Sequence, residues 1–367
     1  MRSTSTLVLG IILVAILALA ACGPADTADP QEAAQDQLLV VDALGRTVEF
    51  DGVPQRIVVA GKSSLTIVET LFLFPEATDR VVGLVAGKQN PGEFLQFVDP
   101  AFGQKAVLEV EAGPEQIAPL KPDVVILRSF MAESLGTSLE QIDIPVIYVD
   151  LETPEQYFRD LTTLGAILGD EARAAEIRSF YQARLDRLEA ALQGLAEGEK
   201  PRVLVLQYSE QGGEVAFNVP AASWLQTVEA ELAGGVPVWV EAAQGGGWTI
   251  VNFEQIAAWD PDAIFLISYN TDPSQVVQRL QSDARWGALG AVQAGRLYAF
   301  AGDIYSWDQP DPRWILGVTW MASRLHPERL DDLDLMAEVD QFFGQMYGMD
   351  QETIHGQILP ALQGDVR

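Results

Sequence analysis

Cationic, hydroxyl and aromatic side chains recur in this chain just after short apolar runs, where a parallel sheet would present them along one edge. Ala60-Gly61-Lys62-Ser63-Ser64 follows one run, Lys88 and Gln89 another, and Arg128 and Ser129 a third. Tyr208 and Ser209, Asn218, and Tyr269 and Asn270 occupy the same kind of position further on. Open α/β sheets bind ligands beyond the carboxyl ends of their strands, so these residues are the candidates to hold a ligand. Lys62 and Arg128 suit negative charge on it. Lys62 with Ser63, Ser64 and the free N–H groups of an opening helix could form an anion site; a serine there serves equally as a plain N-cap, and a lysine is most often simply solvated. The segment lacks the first glycine of a phosphate-binding P-loop. Trp248, held at the end of Gly245-Gly246-Gly247, either offers its ring to a flat or bulky ligand or packs on its own lobe. Tyr305 and Trp307, in the segment 303–308, are the aromatics expected to line a ligand cavity. Arg313 beyond them is expected either at the ligand or in a structural pair with Asp308 or Asp311.

The same inventory argues against bond-making chemistry. The only histidines are His326 and His355, neither beside a candidate strand end, and Cys22 is the only cysteine. A receptor for naked zinc or manganese would want several histidines with carboxylates; haem held through a histidine is disfavoured, while a tyrosine ligand stays open. No Ser sits in a Gly-x-Ser-x-Gly elbow. With 52 acidic residues, close carboxylate pairs arise by accident, so they carry no glycosidase signal. No enzymatic activity, no resident cofactor and no protein-held metal are expected. A formal net charge of −29 repels nucleic acid and anionic lipid.

What must position these residues is a repeat. Residues 115–127 read EQIAPLKPDVVIL and residues 254–266 read EQIAAWDPDAIFL. Each copy suggests a short helix, a Pro-Asp break and a buried strand, so the chain contains two similarly built α/β units. Strands are expected at 56–60, 80–85, 124–127 and 145–149 in the first, and at 202–207, 215–218, 263–267 and 297–300 in the second. Helices are expected at 65–72 and 135–142, and at 223–233, 273–281 and 313–325. Alternation of this kind predicts mainly parallel sheets covered by helices. Between the units, Thr153-Pro154-Glu155-Gln156 reads as a helix start. After a break near Gly169, Ile177, Tyr181, Leu185, Leu188, Leu192 and Leu195 form one apolar stripe. A helix over 171–196 would reach about 39 Å. The organisation expected is an N-terminal lobe over 38–170, a connecting helix over 171–198 and a C-terminal lobe over 199–367, whose tail at 334–347 and 351–359 is helical.

The N-terminus carries an address. Arg2, an apolar run over 7–20 and small residues after it have the layout of a secretory signal, and the run is short for a membrane span. Leu19-Ala20-Ala21-Cys22 resembles a bacterial lipobox, which makes residues 1–21 a signal peptide and Cys22 the lipidated first residue of the mature chain. Residues 22–37 then read as a flexible tether. Losing residues 1–21 removes Arg2 and no acid, leaving a mature charge of −30.

Taken in order, several segments resemble the helical-backbone class of ABC-importer substrate-binding proteins. They are the lipobox, Asp42-Ala43-Leu44-Gly45-Arg46, Pro54-Gln55-Arg56-Ile57-Val58, Arg80-Val81-Val82-Gly83, the two Glu-x-Ile-x-x-x-x-Pro-Asp copies, the central helix and WMASRLHP over 320–327. The resemblance covers nearly all of 38–330. It implies two Rossmann-like lobes joined by a rigid helix, a ligand in the cleft between them, and delivery of that ligand to an ABC permease dimer with its ATPase. It also implies that Glu115 and Glu254 dock on arginines of the two permease subunits; a first-turn Glu also simply favours the helix dipole. The ligand class it ranks first is an iron chelate of siderophore type, ahead of cobalamin, haem and molybdate or tungstate. The rival is a sensor or scaffold of the same fold without a transport partner. The expected protein is a monomer, exported and held by lipid at the outer face of the cell membrane or in the periplasm.

Overall fold

The computed structural model describes residues 37–85 and 92–366. A small antiparallel pair, β1 (Leu38–Val41) and β2 (Thr47–Phe50), comes first. The first lobe is built on β3 (Ile57–Val59), β4 (Val81–Val85), β5 (Ala106–Leu108), β6 (Val124–Arg128) and β7 (Val146–Val149). All are parallel, in the order β5-β4-β3-β6-β7. Every residue of β3, β6 and β7 is buried. Such continuous apolar runs are what a sheet covered on both faces requires.

The second lobe uses β8 (Arg202–Gln211), β9 (Glu214–Val219), β10 (Val236–Pro237), β11 (Thr249–Val251), β12 (Ala263–Ile267) and β13 (Leu297–Ala299). The path is β11-β9-β8-β12-β13, with β10 also on β8. β10, β8, β12 and β13 are parallel, whereas β9 is antiparallel to both β8 and β11. The antiparallel edge arises because β8 overruns its expected end to Gln211 and turns back through Gly212 and Gly213, at φ 62° and 87°. Two positive-φ residues in a two-residue hairpin loop match the twist of the flanking strands, and glycine adopts them without steric cost.

The repeat is also a repeat in space. β3 lies against β6 with Ile57 opposite Val124; β8 lies against β12 with Val203 opposite Ala263. Asp123 accepts the N–H groups of Gln55 and Arg56 at 2.8 and 2.9 Å, and Asp262 accepts that of Arg202 at 2.8 Å. Each arginine then donates its guanidinium to the last carbonyls of the preceding short helix: Arg56 to Leu120 and Lys121, Arg202 to Trp259 and Asp260. Lys121 and Asp260 both turn the chain with positive φ, at 49° and 44°.

Helices Pro154–Leu168 and Glu171–Leu192 connect the sheets. Thr153 caps the first by accepting the N–H of Gln156, Gly169 stops it at φ 66°, and Asp170 caps the second. The second helix spans about 33 Å and ends at Leu192, short of the 196 expected, because Gln193 leaves the helical region and Gly194 turns the chain at φ 79°. The tail helix Leu335–Met346 does more than cover the second lobe. Phe343 and the adjoining Tyr347 meet Phe94 of the first lobe, with ring centroids 5.9 and 4.8 Å apart.

Candidate functional site

The carboxyl ends of the two sheets meet through one carboxylate. Arg128, the last residue of β6, is buried; it donates to Thr66 Oγ1 at 3.0 Å and to Glu152 Oε2 at 2.8 Å. The other oxygen of Glu152 accepts the N–H of Leu225 at 3.2 Å. Leu225 opens the second-lobe helix Leu225–Leu232, and a carboxylate at a helix amino end satisfies an orphan donor and favours the dipole.

The chain holds Glu152 there by design of its loop. Leu151 sits at φ 55°, a conformation that costs a non-glycine residue about 1 kcal/mol or more. The strain is held by Asp160, whose Oδ2 accepts the N–H groups of Asp150 and Leu151 at 2.7 and 2.8 Å, and by Gln156, which accepts the N–H of Glu152. Burial raises the pKa of Asp160, opposed by its bonds from Arg159 and these two amides. Beside Arg128, Phe130 leaves 59% of its surface exposed.

The second lobe answers with aromatic rings over buried acid. Trp224, Trp248 and Tyr269 are all partly exposed, with ring centroids 5.5 Å apart in the first pair and 6.5 Å in the second. Tyr269 Oη donates to Asp308 Oδ2 at 2.6 Å, and Gln226 Nε2 donates to the same oxygen at 3.1 Å. Burial raises the pKa of Asp308, and burial with the neighbouring Asp308 raises that of Tyr269. Glu229, one turn further along the helix, is fully buried, and neither of its oxygens has a hydrogen-bond partner among the described residues. Burial first, then Asp308 and Asp311, push its pKa well above the usual carboxylate range. A neutral carboxyl there avoids burying an unpaired charge.

Of the residues singled out in the sequence, Trp248 and Tyr269 are brought together. Lys62 and Ser63 lie exposed in the turn after β3, with Gly61 at φ 79° and Ser63 at φ 55°. Ser64 opens the following helix without a side-chain cap bond. Arg128 is present but already paired. Tyr208 and Asn218 fall within the β8–β9 ribbon rather than in loops. Tyr208 donates to Glu210 at 2.6 Å and Asn218 to Gln207 at 2.7 Å, because β8 is longer than its apolar run. Tyr305 and Trp307 are interior rather than cavity-lining: Tyr305 packs edge-on against Phe94 at 6.5 Å, and Trp307 donates its indole N–H to Asp303 at 2.8 Å. Arg313 is fully buried and takes Asp303 and Glu69, at 2.9 and 3.2 Å, ahead of Asp311 at 3.9 Å; Asp308 is not a partner. Cys22, Lys88 and Gln89 lie outside the described residues.

Glu115 and Glu254 are exposed in the first turns of their helices, and Glu254 lies 2.9 Å from the exposed Arg285. His326 is buried, 3.3 Å from the Gly234 carbonyl, and His355 stands 3.4 Å from Asp340. Among the described residues no cluster of three His, Cys, Asp or Glu side chains could hold a metal ion, and no helix is long and apolar enough to cross a membrane.

Sequence reasoning missed Trp224, Glu152 and Phe130. A signal existed for Phe130: carried three residues further, the repeat aligns Arg128-Ser129-Phe130 with Ile267-Ser268-Tyr269, an aromatic at the same strand end in each copy.

A family model described as periplasmic binding protein matches residues 64–303. The molybdate-binding protein MolA of Haemophilus influenzae is 24% identical over 84% of this chain and 90% of its own length. An achromobactin-binding periplasmic protein of Dickeya dadantii is 27% identical over 64% of this chain and 78% of its own. In fold, a periplasmic solute binding protein from Veillonella parvula superimposes with a TM-score of 0.69 at 24% identity, covering 88% of this chain and 97% of the other.

Proposed function

This chain belongs to the periplasmic binding protein family, and we propose that it is the exported receptor of an ABC importer that captures an iron complex of siderophore type. The observation that carries this reading is the make-up of the facing strand ends. Trp224, Trp248 and Tyr269 on one lobe and Phe130 on the other offer aromatic surface, while the buried cation beside them, Arg128, is already neutralised by Glu152. Aromatic walls with few polar anchors suit a ligand with an organic exterior. A bare oxyanion would instead need unpaired donors. Lys62 and Ser63, exposed at the same edge, are available to peripheral charge on such a chelate. Among relatives, one is named for achromobactin and one for molybdate, so both chemistries occur close by.

In this reading residues 1–21 are a signal peptide, lipid on Cys22 anchors the mature chain at the outer face of the membrane, and the lobes extend over 38–170 and 199–367 about the connecting helix. Glu115 and Glu254, related by the repeat, each address one subunit of a two-fold permease, since a symmetric partner requires paired contacts. The chain carries out no chemical step on its cargo.

Native mass spectrometry with metal analysis, on protein purified from its own host, tests the reading. A bound iron complex is expected. Molybdate or tungstate, a corrinoid or haem in its place would replace the cargo and keep the receptor. A protein that carries none of these, and whose tryptophan fluorescence responds to none, would favour a sensor or scaffold.

A further inference from the structure

The facing strand ends contain the makings of an anion site that the chain fills itself. A guanidinium that is nine-tenths buried and a helix amino end converge on one point: Arg128 reaches it with Nη2 and Leu225 with its N–H. Arg128 Nε has no partner among the described residues, so the guanidinium retains donor capacity beyond the bonds it makes. In an unmodified protein such a convergence invites phosphate, sulfate or another oxyanion. Here Glu152 occupies it, one oxygen on each donor. The placement is not incidental. The strained Leu151 and the two amide bonds to buried Asp160 fix the loop that delivers Glu152, and Arg159 pins the same loop by pairing with Asp150 at 2.7 Å.

We infer that Glu152 is a specificity-determining residue: by seating its own carboxylate between Arg128 and the amino end of helix Leu225–Leu232, it turns small oxyanions away and leaves the site to chelates. This rests on the receptor reading and narrows its substrate class. A tetrahedral oxyanion can reach Arg128 only by expelling Glu152 or by lying beside it. The first breaks a seated ion pair, and the second brings the anion against the Glu152 carboxylate, which disfavours binding through an unmet repulsion rather than a lost contact. A chelate that meets the site through its organic surface disturbs neither bond.

The test is titration of the purified protein with sodium molybdate, read by calorimetry and by thermal shift, for wild type, Glu152→Gln and Glu152→Ala. Glu152→Gln keeps the shape and an acceptor for the Leu225 N–H, so it guards against a fold that fails when the side chain is cut back. Wild type should show no saturable molybdate binding. Both variants should bind it saturably, at concentrations at least about tenfold below the highest at which wild type stays unbound, and melt higher in its presence, because Arg128 then draws its counter-ion from solution. The double variant Arg128→Gln/Glu152→Gln should lose that gain. Wild type that binds molybdate as tightly as the variants, or variants that gain nothing, would overturn the inference. A ferric citrate titration run alongside separates this from the receptor reading: wild type that rejects molybdate yet binds the ferric complex supports both, whereas variants that gain molybdate in a protein that binds no ferric complex keep the gate and remove the iron cargo.

Discussion

At the amino ends of β6 and β12 the two repeat copies do the same thing with the same residues. Asp123 and Asp262 accept backbone N–H groups at the start of the neighbouring strand, and Arg56 and Arg202 tie down the preceding helix. At the carboxyl ends the copies part. One closes on Arg128, paired across to the other lobe by Glu152; the other closes on Ile267 and Tyr269, with Trp248, Trp224 and a buried carboxyl at hand. Only the serines Ser129 and Ser268 and the aromatics Phe130 and Tyr269 keep the equivalence there. What stayed alike is what a strand–helix joint needs in order to fold, whatever the ligand. What diverged is the face that a ligand would meet, which is where a duplicated unit is free to specialise.

That contrast can be broken most sharply at the carboxyl ends. Replacing Trp224 and Trp248 together with Ala should weaken ligand binding by about 100-fold, or about 3 kcal/mol, in fluorescence-independent calorimetry, with little change in unfolding midpoint. A variant whose unfolding midpoint drops while ligand affinity stays at the wild-type value would reverse the assignment.

The enclosed acids give the next effect. Burial raises Glu69 to about 8 and Asp311 to about 7, both crowded around Arg313. A carboxyl whose folded pKa is raised contributes stability that is present below its unfolded pKa and lost as pH rises through the folded one. Stability in urea should therefore decline steadily as pH rises from about 5 to about 8. A protein equally stable across that window would show these groups to be ionised in place.

At the amino ends the effects concern folding alone. Asp123→Ala should cost about 2 kcal/mol and Asp262→Ala about 1 kcal/mol, since Asp123 accepts two N–H groups and Asp262 one. Ligand affinity should not move in either. The smallest change belongs to Glu254→Ala. Its exposed pair with Arg285 is worth under about 1 kcal/mol, so stability and ligand affinity should hold. Uptake in cells should fall, and fall further with Glu115→Ala.

The amino ends were the legible part of the sequence. The Pro-Asp breaks and uninterrupted apolar runs located β6 and β12 closely, and the helix expected at 273–281 is Pro273–Gln281. The carboxyl ends were much less so. Tyr305 and Trp307 share a loop composition with the partly exposed aromatics of the strand ends, and their burial follows from packing on Phe94 and an indole bond to Asp303, which composition alone does not report. Tyr208 looked like a loop residue because the apolar run stops before the hydrogen-bonded strand does. Glu152 was one acid among 52, and its role follows from a loop strained at Leu151 and a helix start in the other lobe. Periodicity reports burial along one element; a site assembled from loops of two lobes leaves no period.

Amide hydrogen exchange, before and after addition of the solute found by native mass spectrometry, tests the central claim most directly. New protection should appear at the carboxyl-end segments 61–64, 129–131, 224–226 and 268–270 and be absent from the joints at 121–123 and 260–262. Protection centred instead along the back of the connecting helix, over 185–195 with 228–234, would contradict the account.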